Sequence, residues 1–80
     1  MYSKVTLVIA DMNDENTLDI KEDVSNALRD NDVYAMMLMS NASVPNKMDV
    51  LLAGKASPEQ ADNASIQLRS TFQIDEIEWE

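Results

Sequence analysis

An α+β fold of order βαββαβ is predicted by three features. Four short apolar runs read as strands, two stretches place apolar residues at helical spacing, and polar breaks separate them. With right-handed crossovers and short connections, that order points to a ferredoxin-like plait. Its four-stranded antiparallel sheet takes the spatial order 4-1-3-2, with two helices on one face. Residues 1–80 make a single acidic domain, and a domain of this size buries roughly 60–65 % of its unfolded surface. The chain has no cysteine and no histidine, so packing must hold it without a disulfide or a zinc staple.

The elements follow in order. Val5 to Ala10 is β-branched and apolar on both alternating sets, which reads as a buried strand. Asp11 to Asn16 is a polar loop. Leu18, Ile20, Val24, Ala27 and Leu28 then recur at helical spacing, with Asn16 or Thr17 available as N-cap and Asp19 favourable in the first turn. Asp30-Asn31-Asp32 ends that helix, Asn31 being suited to a left-handed conformation. Val33 to Met39 reads as a second strand, Asn41 to Asn46 as a loop containing Pro45, and Met48 to Ala53 as a third strand stopped by Gly54. Ser57-Pro58-Glu59-Gln60 is a helix start with a cap, a proline at the first helical position and a capping-box glutamine. Ala61, Ala64, Ser65, Leu68 and Phe72 form a narrow stripe suited to lying against a sheet. Ile74 to Trp79 is a last strand with an irregularity, because Ile74 and Ile77 fall on opposite alternating faces.

Two helices cover one face of such a sheet, yet the first three strands are apolar on both faces. The open face is therefore expected to expose Val8, Met37, Met39 and Leu51, with Trp79 beside them, as a surface for a homodimer or a docked partner.

Charge decides the classes of function. Fifteen acidic side chains stand against six basic ones, a formal net charge of −9. The negative field repels nucleic acid and anionic membrane and attracts basic surfaces. Without His or Cys the chain lacks the usual neutral-pH acid/base, the usual nucleophile and the best transition-metal ligands. No cofactor is expected, and an enzyme is the class least supported. The N-terminus has no charged n-region or long apolar core, and the apolar runs are too short to span a bilayer. The expected location is the cytoplasm, or the host cytoplasm for a phage-encoded chain.

The charge is also segregated. Residues 11–32 hold eight acidic against two basic side chains, residues 33–74 balance, and residues 75–80 add four acids and no base. Asp19, Glu22, Asp23 and Asp30 fall on a solvent-facing arc of the first helix, opposite Ile20, Val24 and Leu28. With Asp32, and with Asp75, Glu76, Glu78 and Glu80 of the last strand, they are the candidate partner-binding residues. The ends of the first helix and the last strand lie at one pole of the plait, so Glu78 and Glu80 are expected to join Asp30 and Asp32 in one strip. The plain alternatives are a solvated helix face and an edge strand guarded by charge.

A weaker pattern lies at residues 11–22. Asp11, Asn13, Glu15, Asp19 and Glu22 fall at calcium-loop positions, but Asn16 stands where the loop needs glycine for its sharp turn. A calcium-binding loop is thus a minor alternative, and no metal is expected.

In size, acidity and lack of His and Cys, the chain resembles the small inhibitors that bacteriophages encode, such as the uracil-DNA glycosylase inhibitor, anti-restriction proteins and anti-CRISPR proteins. The resemblance is one of composition. It implies a non-catalytic binding protein whose carboxylates mimic nucleic-acid phosphates and block the basic groove of a nucleic-acid-processing enzyme. The alternative is a dimeric regulatory or interaction module of ferredoxin-like fold, its charge serving solubility.

Overall fold

A computed structural model describes all of residues 1–80. The chain runs β1 (Tyr2–Ile9), α1 (Thr17–Arg29), β2 (Ala35–Ser40), β3 (Lys47–Ala56), α2 (Pro58–Thr71) and β4 (Ile74–Trp79). The strands form one antiparallel sheet in the order β2-β3-β1-β4. This is the predicted α+β plait.

The core is set by alternation in the two central strands. Val5, Leu7 and Ile9 of β1 and Met48, Val50 and Leu52 of β3 all turn to the helix side and are buried. They meet Ile20, Val24, Ala27 and Leu28 of α1 and Ala61, Ala64 and Leu68 of α2. Fully burying a Val, Leu or Ile side chain contributes about 1.5–3 kcal/mol, so this layer supplies most of the driving force. No polar or charged residue is buried within it.

α2 starts as its sequence demands. The Ser57 hydroxyl accepts the Gln60 N–H at 3.1 Å, and the Gln60 side-chain oxygen accepts the Ser57 N–H at 2.8 Å. α1 begins differently. Asn16 precedes it but makes no capping bond to the helix; its side chain accepts the Asn13 N–H and donates to the Asp11 carbonyl. The Thr17 hydroxyl in turn donates to the Asn13 carbonyl. This turn tucks Met12, 4 % exposed, into the core from an otherwise polar loop.

Several boundaries differ from expectation: β1 already starts at Tyr2, three residues before Val5, and ends at Ile9. β3 does not stop at Gly54 but continues to Ala56. Gly54 has a φ of +153° and lies where the β1–β3 register shifts, Tyr2 pairing with Ala56 and Lys4 with Leu51. The glycine allows the irregularity instead of ending the strand. β2 starts later than Val33, which is buried in the turn before it. The left-handed residue after α1 is Asp32, at φ 59°, and not Asn31. Asn31 is held by its carboxamide, which donates to the Ala27 carbonyl and to the Gln67 side chain of α2, both at 2.9 Å.

The irregularity expected in β4 is present. Val8 pairs with Glu76 and Ile9 with Ile74, leaving Asp75 as the extra residue. The bulge puts Ile74 and Ile77 on the same, helix-facing side of the sheet, where both pack on the core.

Ser57→Ala should lower unfolding stability by about 1 kcal/mol, the usual worth of such a cap. A denaturant titration showing an unchanged midpoint would mean that packing alone holds the start of α2.

Candidate functional site

The acidic residues occupy two surfaces. On α1, the arc of Asp19, Glu22, Asp23 and Asp30 is exposed. None of the four forms an ion pair, and the only ion pairs in the molecule belong to Lys4. Neighbours three or four apart on a helix sit ~5–6 Å apart at Cβ and repel by a few tenths of a kcal/mol per like-charged pair. From Asp19 to Asp30 the helix rises about 16 Å, so the three intervals between the four carboxylates average ~5.5 Å, wider than the ~3.4 Å along one strand of a duplex. Asp30 is steadied by Gln67 of α2, whose Nε2 donates to it at 2.9 Å. Asp32 continues the arc at the turn, and its carbonyl accepts Gln60 Nε2 at 3.5 Å.

The second acidic surface lies on the other side of the molecule. In β4, Ile77 and Trp79 share the helix-facing side, opposite Leu7 and Val5, so Glu76 and Glu78 turn to the open face opposite Val8 and Thr6. Glu80 follows the same alternation, and its carboxylate lies 3.8 Å from Lys4 Nζ. Lys4 also reaches Asp49 at 3.9 Å, and the Thr6 hydroxyl donates to Asp49 at 2.9 Å. Asp75 is exposed at the bulge. The expected single strip is therefore corrected: Glu78 and Glu80 share a pole with the end of α1, but the sheet stands between them and Asp30 and Asp32.

Trp79 is corrected too. It does not face outward beside Val8. Its indole N–H donates to the Ser65 hydroxyl of α2 at 2.9 Å, and its ring lies 6.0 Å from that of Tyr2. Two positions after the inward Ile77, it has to share that face. Of the other open-face candidates, Val8 is half-buried between Lys47 and Glu76 and Leu51 is half-buried between Lys4 and Met37, while Met37 and Met39 are 48 % and 39 % exposed towards the β2 edge.

The loop at 11–22 makes an asparagine turn. Asn13 Oδ1 accepts the N–H groups of Glu15 and Asn16, and Asp19 and Glu22 stand on the helix. No three carboxylates converge there or elsewhere on a common point. The one concavity is a shallow cleft between Tyr34 and Lys55, floored by Val33 and Leu52.

The polar bridge Asp30–Gln67–Asn31 had no mark in the sequence, since Gln67 is one polar residue among many on α2 and its partners lie 36 and 37 positions away. Lys4 as the hub of the open-face charges was equally hidden. The chain matches no protein-family model, and no curated protein matches it in sequence. No helix is long and apolar enough to cross a membrane.

Because the α1 carboxylates are unpaired, salt should stabilise the protein by screening their repulsion. The melting temperature is expected to rise between low and moderate NaCl. A fall would show that the Lys4 pairs outweigh that repulsion.

Proposed function

We propose that this protein is a small non-catalytic inhibitor that presents α1 to the basic groove of a nucleic-acid-processing enzyme and excludes its substrate. What supports the reading is the α1 arc itself: Asp19, Glu22, Asp23 and Asp30, exposed, free of ion pairs and strung along one helix as a row of like charges. A rigid helix packed on a sheet holds those charges in place before binding, which lowers the ordering cost of association. The action requires only charge and shape, and opposite-charge steering makes association fast and salt-sensitive. Asp75, Glu76, Glu78 and Glu80 lie on the other face. They add to the attracting field, and a partner wrapping the β4 edge would reach them. The composition shared with phage anti-restriction and anti-CRISPR inhibitors agrees with this role.

A second reading is favoured by a separate observation. Met37 opposite Leu51, with Met39 beside them, gives the β2 side of the open sheet face an apolar, adaptable patch, which suits a regulatory module that assembles through its sheet.

Binding to a panel of basic nucleases, glycosylases and polymerases separates the two. Under the inhibitor reading, capture of an enzyme weakens as salt rises and is competed by duplex DNA. The pair Asp19→Lys with Asp23→Lys then reduces affinity by about a hundredfold or more, the range for close charge pairs across an interface. Binding that survives this reversal, but is lost on Leu51→Glu, would transfer the function to the sheet.

A further inference from the structure

The two edges of the sheet are unlike. The β4 edge carries Asp75, Glu76 and Glu78, a charge guard of the kind that keeps edges from pairing. The β2 edge has none. Residues 33–46 contain no Asp, Glu, Lys or Arg, although the chain as a whole carries −9. β2 has a neighbour on one side alone, β3.

Its outward hydrogen-bonding groups can be assigned. The Asn41 N–H donates to the Lys47 carbonyl, and the Ala53 N–H to the Tyr34 carbonyl at 2.8 Å. Counting inward from these two points, bonded and non-bonded pairs alternate, which makes Met37–Leu51 and Met39–Asp49 the bonded pairs. The backbone groups of Leu38 and Ser40 therefore point away from β3, with no strand to receive them. Met36 occupies the bulge just before this stretch and is 65 % exposed.

The helix above this edge has a matching flank. α1 turns one side to α2, where Asp30 and Asn31 meet Gln67. At about 100° per residue, the opposite side carries Leu18, Lys21, Ser25 and Arg29, with Glu22 at its outer margin. Leu18 is 79 % exposed, with no packing role inside the monomer. Lys21 and Arg29 take part in no ion pair.

We propose that the chain forms a two-fold homodimer by pairing β2 antiparallel with β2 of a second copy, giving one eight-stranded sheet with four helices on one face. Strands lie ~4.8 Å apart. With α1 seated over the β2–β3 pair, the two copies of α1 fall about 10 Å apart, the contact distance for packed helices. Leu18 then leaves water, and Glu22 comes near the partner's Lys21 across the axis. The occupant is a second copy because antiparallel pairing about a two-fold matches the donors and acceptors of Leu38 and Ser40 with their own equivalents. It is also the approach that brings two strongly acidic molecules together at a surface without net negative charge. Strand pairing over Met37–Ser40 is short. The helix contact is what carries the interface towards the ~800 Å² per partner of a stable association. Asp19, Asp23 and Asp30 stay clear of it, so the interface shares only Glu22 with the inhibitor reading.

Sedimentation velocity on the full chain, from micromolar to near-millimolar protein, tests it. A dimer that grows with concentration is expected. Ser40→Pro, which deletes an outward N–H without touching a β3 bond, and Leu18→Asp, on the exposed flank, should each weaken it by about tenfold or more. Leu51→Glu, central on the open face, should leave it unchanged. Leu18→Asp keeps the test valid should Ser40→Pro fail to fold, which circular dichroism reports. A monomer at every concentration overturns the proposal. So does a dimer that Leu51→Glu destroys while Ser40→Pro and Leu18→Asp leave it intact, since that is face-to-face packing.

Discussion

The antiparallel register of β1 and β3 is the constraint on which the rest depends. Val5 opposite Val50 and Leu7 opposite Met48 put one row of apolar side chains from each central strand on the helix side. Because side chains alternate strictly, the same register sends Lys4, Thr6 and Val8, with Lys47, Asp49 and Leu51, to the open face. With β1 held in place, a one-residue slip of β3 would turn Asp49 and Leu51 towards the core and Met48 and Val50 to the open face. Every later placement of charge, from the β4 carboxylates to the Met pair of β2, inherits its side from this choice.

Charge is then divided by architecture. The open face mixes both signs, and one of its two lysines, Lys4, is engaged with Asp49 and Glu80. The outer surface of α1 has no such neutralisation. Surface ion pairs contribute little to stability, typically under about 1 kcal/mol, so the difference concerns recognition more than folding. An unpaired row on a rigid helix keeps its field available to a cationic partner, whereas on the sheet Asp49 and Glu80 already share Lys4 and only Asp75, Glu76 and Glu78 are unpaired. The two acidic sets therefore differ at one residue, Glu80, which has a lysine partner while no carboxylate of the α1 arc does.

Much of this was legible because local physics fixed it. Ser57, Pro58 and Gln60 specify a helix start with partners only three residues apart, and the structure has that box complete. Ile74 and Ile77, three apart in a strand, demanded an irregularity, and Asp75 supplies it. What escaped reading was long-range. Gly54 reads as a stop in isolation, but pairing with β1 on one side carries β3 past it to Ala56. Trp79 reads as an exposed anchor at the end of an acidic run, yet its parity with Ile77 and the hydroxyl of Ser65 draw it under α2. The α1 arc was readable from the helical period, while its separation from Glu78 and Glu80 required knowing which face of the sheet each strand presents.

The two sheet edges show how a small acidic protein limits its contacts. Backbone groups on an edge are a template for pairing, and a chain this acidic already resists association by general repulsion. Adding three carboxylates to β4 makes that edge doubly unreceptive. Leaving β2 uncharged does the reverse at one place, because the local barrier to approach falls where the field is weakest. Met36, Met37 and Met39 strengthen the contrast, since flexible thioether side chains adapt to an incoming surface at little steric cost. The bulge at Met36 confines the receptive stretch to Met37–Ser40, too short to template an open-ended stack but long enough to set the register of one partner. Selectivity here comes from where charge is withheld as much as from where it is placed.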